Sequence, residues 1–468
     1  MTDKNNPAIL GTENVRKLLI QYSIPAIMAM VAASLYNIVD RIFIGNAVGP
    51  LAISGLAITF PLMNISAAFG SLVGAGGSAL VAIKLGQKDN WGANQILGNA
   101  IMLNLILGSI IMIAGLVFLD PILYCFGATE NTITFARDYM QIILGGNVIT
   151  HVYLGMNNIM RSSGYPRKAM YTTFIAVIIN AVLDVIFIFE FGWGIRGAAV
   201  ATVIAQTIAL IWVCLHFMNK NSFIHFRKGI YALKKRIVAG IFSIGMSPFI
   251  LNICSCLVVI LFNTALLSHG GDLAIGAFGI TNSVVMFFVM IVLGLTQGMQ
   301  PVAGYNFGAK QFDRVMKVLK QSMIAATCIT TFAFIVSELF PQQIAMLFSQ
   351  KDNALGENIE LTRKQIEYAV TGLRITLAVF PVVGISMVIA NFFQSIGKAK
   401  HAIFLSTTRQ LLFLVPLILI LPEFWGLTGI WLSIPVADFI STILSVILIQ
   451  RQFKIFKRQT IQNHLKIT

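Results

Sequence analysis

Long apolar runs recur along the entire chain, near 18–46, 52–82, 94–119, 134–160, 168–190, 195–218, 237–267, 273–300, 318–340, 368–394, 401–421 and 427–450. An α-helix needs about 20 such residues to cross roughly 30 Å of hydrocarbon, so each run reads as one membrane span. The expected fold is all-α and polytopic, with twelve transmembrane helices. Composition agrees: 57% of residues are hydrophobic and only 11% charged, where soluble chains run to about a quarter charged. The first run continues from about Leu18 to Val48 behind a polar, weakly basic leader, too long for a signal-peptide core, and is expected to stay in the mature protein.

A net charge of +15 would suit a nucleic-acid partner if the basic residues shared one face, but they fall in alternate connections. Lys84, Lys88, Arg167, Lys168, the group from Lys220 to Arg236, Lys310 to Lys320, Lys398 and Lys400 occupy one set, together with Arg16, Lys17 and Arg451 to Arg458 near the termini. The other set carries Asp120, Glu130, Glu190, Asp272, Asp352, Glu357, Glu360 and Glu423. By the positive-inside rule the basic set and both termini face the cytoplasm, and an even number of spans agrees. No nucleic-acid partner is expected. Cys125, Cys214, Cys254, Cys256 and Cys328 show neither paired-loop nor metal-ligand spacing and read as small buried residues.

The longest basic connection divides the chain into residues 1–220, a linker 221–236, and residues 237–468, and the two large parts echo each other. Pro25 answers Pro248, Leu51-Ala52-Ile53 answers Leu273-Ala274-Ile275, and Gly86-Gln87-Lys88 answers Gly308-Ala309-Lys310. Farther on, Asn158 to Gly164 matches Asn391 to Gly397, and Trp193-Gly194 with Gly197 matches Trp425-Gly426 with Gly429. Six spans per half leave both copies in one orientation. The halves are therefore expected as two six-helix bundles related by a pseudo-twofold axis along the membrane normal.

Two acids lie where a spanning helix should carry none. Asp40 sits in the first run and Asp184 in the fifth, each about six residues from its outer end, hence some 9 Å beneath it. An ionisable group there persists only against a partner, a proton, an ion or water. Asn180 lies one turn before Asp184 on the same helix face, Thr202 reaches comparable depth in the sixth run, and Tyr36 and Tyr139 offer phenol donors. Two carboxylates with neutral oxygen donors form a site for a hard cation such as Na⁺, or a pair sharing a proton. The plainer alternative is a structural ion pair, yet only Arg41 and Arg196 lie at that depth in the first half, and Arg41, adjacent to Asp40, points about 100° away. By the repeat, Asp40 corresponds to about Asn263 and Asp184 to about Leu417, so the second half lacks the acids and carries Asp438 where the first has Gln206. Arg374 and Arg409 read as lining the cavity or snorkelling toward an interface, with the second slightly favoured, and Ser349 to Glu367 reads as a solvated outer loop.

An enzyme is not indicated. His151, His216, His225, His269, His401 and His464 are scattered without a carboxylate at catalytic spacing, and no phosphate-binding Gly-rich loop is present. No cofactor is expected.

Taken together, Pro25, Asn37-Ile38-Val39-Asp40, Ile44-Gly45, Gly86-Gln87-Lys88, Arg161 to Gly164, Asn180 with Asp184, Gly197 to Thr202, and Gly426-Leu427-Thr428-Gly429 with Pro435 and Ala437-Asp438 resemble the multidrug and toxic compound extrusion (MATE) family, in its MepA-like and DinF-like branches. The resemblance covers nearly the whole chain. It implies a monomeric antiporter of the cell membrane that exports cationic, amphipathic compounds in exchange for Na⁺ or H⁺, its two lobes opening alternately to either side. It assigns the coupling site to Asp40, Asn180, Asp184 and Thr202, with Tyr36, Tyr139 and Asn157 as neighbours and Pro25 as the kink-forming proline. A lipid-linked oligosaccharide flippase of related fold is the nearest alternative, although such a substrate calls for cationic cavity residues and the first half offers acids.

Overall fold

A computed structural model describes residues 8–349 and 359–465, and helices account for nearly all of them. The first five spans are Val15–Val48, Pro50–Gly86, Asn90–Val117, the pair Ile133–Gly145 and Asn147–Ser162, and Pro166–Asp184 extended by Val185–Glu190. Gly194–Met218 is the sixth. Lys235–Gly308 runs as one helix until Gly271, whose positive φ of 64° breaks it into spans seven and eight. Span nine is Phe312–Leu339, and span ten joins Ile359–Leu377 to Phe380–Ser395 across a 55° bend. Ala399–Thr407, Thr408–Leu414 and Val415–Leu465 form spans eleven and twelve, divided at Gly426, where φ is 54°. The twelve expected spans are thus present. Gly271 and Gly426 stand where only glycine takes a positive φ without strain, and each turns the chain back at the acidic end.

The repeat seen in the sequence is a repeat of contacts. A Cβ on Gly86 would overlap the Tyr305 carbonyl, and one on Gly308 would overlap the Ile83 carbonyl. Since Gly86 answers Gly308 and Ile83 answers Tyr305, these are two copies of one contact about a pseudo-twofold axis between spans two and eight. Around it, Gly76 and Gly245 bring span two against span seven at Ile241 and Leu72, and Gly294 and Gly298 bring span eight against span one at Ile27 and Ser23. Small residues let backbones touch where no hydrophobic effect drives helices together. Ser23 donates to the Leu295 carbonyl, Gln300 donates to Ser78 at 3.0 Å, and Arg161 donates to Gln297 across the same seam.

This seam lies toward the basic end of the molecule. The Asn306 amide donates to the Leu10 carbonyl, and Arg314 to the Leu10 and Glu13 carbonyls, which ties the N-terminal segment to the connection between spans eight and nine. Phe456 stacks on Phe312 there, so the segments around Leu10 and Phe456 gather at one end. Ion pairs at the opposite end, Arg137 with Asp120 and Arg196 with Asp138, engage acids of the outer side.

Span four runs as two helices that meet at Gly146, where Val203 packs so close that any side chain would collide. Three expectations are corrected. The stretch read as a loop from Ser349 to Glu367 is flanked by helix: Pro341–Ser349 precedes it, Ile359–Leu377 begins within it, and Gln350 to Asn358 lie outside the described residues. Charges at i,i+4 spacing, as in Arg363 and Glu367 at 3.6 Å, support a helix that composition alone suggests is loop. Of the five cysteines only Cys254 is buried, and Cys125 and Cys328 lie on the exterior, where a thiol meets lipid as readily as a core. Arg409 does not snorkel but binds the buried Asp438 at 2.5 Å, whereas Arg374, half exposed, faces Glu338 at 3.7 Å by the outer end of span nine.

Candidate functional site

Spans one and five run side by side in the same direction, so residues equally far along them share a level. Phe43 meets Phe189 edge to face with ring centroids 6.0 Å apart, which fixes the register just outside the acids. Below, the Tyr36 hydroxyl donates to Asp184 Oδ2 at 3.4 Å, and the Asn180 amide donates to Asp184 Oδ1 at 3.2 Å. Asp184 is wholly buried and Asn180 is 4% exposed. Asp40, also buried, stands close enough to Asp184 and to Tyr36 for their charges to interact, and Thr202 from span six and Tyr139 from span four bear on the Tyr36 hydroxyl. Asp40, Tyr36, Tyr139, Asn180, Asp184 and Thr202 therefore gather in the first half.

The winding of span five changes at Asp184. The regular helix ends on it, and Val185–Glu190 continues in the wider π-helical winding, which inserts a residue and rotates the positions after it. Phe187, Phe191 and Trp193 then stack on one another and cap the outer end. Gly197 admits the Phe187 backbone, and Ala198, Ala199 and Ala201 are fully buried, which keeps span six tight against span five. Among the described residues no lysine or arginine pairs with Asp184. Arg196, one of the two basic candidates at this depth, is occupied by Asp138 at 2.8 Å, and the side chain of Arg41, the other, lies outside the described residues.

Asn157, expected as a neighbour, and Pro25, expected as the kink of span one, stand apart from this group. The Asn157 amide donates to Thr173 at 3.4 Å, about two turns nearer the basic end than Asn180. Pro25 is buried within the uninterrupted helix Val15–Val48, beside the seam with span eight.

A second polar group was not singled out by sequence reading. Ser66 on span two donates to Asn147 Oδ1 at 2.6 Å and lies 3.1 Å from His151 Nε2. Asn147 in turn donates to the Gly108 carbonyl, and Thr150 donates to Gln206. The available signal was the i,i+4 spacing of Asn147 and His151 on one face of span four, which a search for catalytic histidines passes over.

The second half is apolar where the first half carries its acid: Leu417, the repeat counterpart of Asp184, packs against a cluster that contains Trp431. Trp431 occupies the repeat position of Ala199, is fully buried, and packs between Phe262 and Phe278. The acid of span twelve, Asp438, holds Arg409 and is 5% exposed.

Fold and site together define a polytopic helical membrane transporter, built from two repeated six-span halves with buried carboxylates in the first. The MatE family model matches residues 25–186 and 248–420, one segment in each half, and the chain belongs to that family. Among curated relatives, the multidrug export protein MepA of Staphylococcus haemolyticus (strain JCSC1435) is 26% identical over 437 residues, 93% of each chain. MepA of Staphylococcus aureus (strain N315) is 25% identical over 435 residues, again 93% of each. Among solved structures, a ligand complex of the MATE multidrug transporter DinF-BH superposes with a TM-score of 0.86 at 35% identity, over 95% of this chain and 98% of that one. A MATE transporter in an outward-facing conformation superposes with a TM-score of 0.90 at 22% identity, over 98% and 100%, a likeness of fold.

Proposed function

We propose that this protein is a monomeric antiporter of the cell membrane that expels cationic, amphipathic compounds and takes up Na⁺ or H⁺ in exchange. The observation that carries the reading is Asp184: a fully buried carboxylate whose two oxygens accept from the neutral donors Tyr36 and Asn180, beside a second carboxylate at Asp40. A buried charge so lightly compensated favours an arriving cation or proton. The multidrug export names of the MepA relatives, and the multidrug transporter name of DinF-BH, support the substrate class.

In this reading residues 1–220 and 237–468 are the moving bodies and 221–236 joins them. The seam at the basic end closes the cytoplasmic side, and the driver ion enters from outside at Asp40, Asn180, Asp184 and Thr202. Drug and ion stabilise different arrangements of the two halves, and their differential affinity drives exchange. Asp184→Asn is expected to abolish efflux of a fluorescent organic cation from proteoliposomes while leaving membrane insertion intact. Imposing Na⁺ and pH gradients separately identifies the driver. Undiminished gradient-driven efflux by the variant would overturn the assignment.

A further inference from the structure

The linker between the halves carries positive charge in excess of what topology requires, and the structure fixes it in place. No acid occurs between Glu190 and Asp272, while Lys220, Arg227, Lys228, Lys234, Lys235 and Arg236 are all exposed. This segment has little regular secondary structure but is bound along its length to span three. Asn94 Oδ1 accepts the His225 N–H at 2.8 Å. One turn on, the Asn99 amide donates to the Ile230 and Ala232 carbonyls at 3.2 and 3.1 Å, and its oxygen accepts the Lys234 N–H at 2.8 Å. Ile224 and Ile230 are buried as pegs, and Gly98 leaves room for the Ile230 backbone. The Phe226 N–H returns to the Phe217 carbonyl at the end of span six.

The pinning sets a height. Asn99 lies nine residues beyond Asn90, where span three begins, so the strap climbs about 13 Å along that helix before span seven starts at Lys235. Trp91, 47% exposed, marks the interfacial end of span three. Lys234, Lys235 and Arg236 thus stand at the start of span seven, and Tyr231 and Leu233, 40% and 47% exposed, accompany them. Asp89, the nearest acid at the foot of span three, is already held by Lys84 at 2.8 Å.

We infer that the strap from Asn219 to Arg236 is a preformed docking surface for anionic phospholipid headgroups on the cytoplasmic leaflet. Clustered basic residues next to a span attract anionic lipid, and here the ordering entropy of the loop is already spent by Asn94 and Asn99, so binding is not taxed by it. The exposed tyrosine and leucine fit a lipid surface, which a soluble polyanion does not offer.

The test titrates purified protein with short-chain phosphatidylglycerol, short-chain phosphatidylcholine or inorganic phosphate and reads the shift in thermal midpoint. The wild-type chain is expected to half-saturate with phosphatidylglycerol at about tenfold lower concentration than with phosphatidylcholine. Lys234→Gln with Lys235→Gln and Arg236→Gln, all exposed side chains, should remove most of that preference. The control, Lys454→Gln with Lys457→Gln and Arg458→Gln on the exposed end of span twelve, removes equal charge and should leave it within about twofold. Asn99→Ala keeps every charge, frees the strap and should weaken the preference. The inference is overturned by an unaffected strap variant, by an equal loss in the control, which would mean bulk charge alone, by inorganic phosphate matching the lipid, or by an unchanged preference in Asn99→Ala.

Discussion

Asp438 and Asp184 are both carboxylates inside membrane-spanning helices, and their partners separate them. Asp438 holds the Arg409 guanidinium at 2.5 Å, whereas Asp184 accepts from a phenol and an amide and, among the described residues, from no basic group. The first acid is paired with a cation inside the protein, and the second meets only neutral side-chain donors among the described residues. Removing one member of a buried pair strands the other, so Arg409→Leu is expected to destabilise the protein by about 3–5 kcal/mol. Arg409→Leu combined with Asp438→Leu should recover most of that loss, since an apolar replacement of the whole pair is close to neutral. Thermal unfolding of the purified variants measures both. A double variant no more stable than the single one would assign the loss to shape instead of charge.

At the scale of one element, span three shows how a helix end is set. Asp89 caps it by accepting the Gly92 N–H at 2.8 Å while holding Lys84 at 2.8 Å, and the positive φ of Lys88 turns the chain into the cap. Lys84 first, and the Gly92 N–H with it, hold the Asp89 carboxyl below the usual carboxylate range. Its contribution is therefore complete above the ordinary carboxylate pKa and is lost as pH falls through the lowered value. Asp89→Ala is expected to reduce stability by about 1 kcal/mol at neutral pH, and the difference from wild type should shrink on acidification. Thermal midpoints across that range check the sign. The second half repeats the turn with Lys310, also at positive φ, but places Gln311 at the cap without a side-chain hydrogen bond, so only the first copy carries the effect.

For the molecule as a whole the decisive feature is the glycine seam. Gly76, Gly86, Gly245, Gly294, Gly298 and Gly308 each bring backbone against backbone between the halves at the basic end. A side chain at Gly245 would overlap the Leu72 carbonyl, so Gly245→Leu is expected to hold the halves apart there. A cysteine introduced at Ser78, buried in the wild-type seam, should then react several-fold faster with a membrane-impermeant maleimide from the cytoplasmic side. An unchanged rate would show that the seam closes without the glycines.

The number of spans, the internal repeat and the level of the two acids were legible along the chain, because hydrocarbon thickness and helical rise act on residues close together in it. Which polar groups meet was settled by packing between distant spans. Arg409 and Asp438 lie on different spans, as do Tyr36 and Asp184, and no local rule relates them. The π-helical turn after Asp184 is likewise set by Gly197 packing against Phe187, and the apolar cluster of the second half by the meeting of Trp431, Phe262 and Phe278. Contacts of that kind depend on helices brought together from distant parts of the chain, where side-chain shape selects the partner and periodicity is silent.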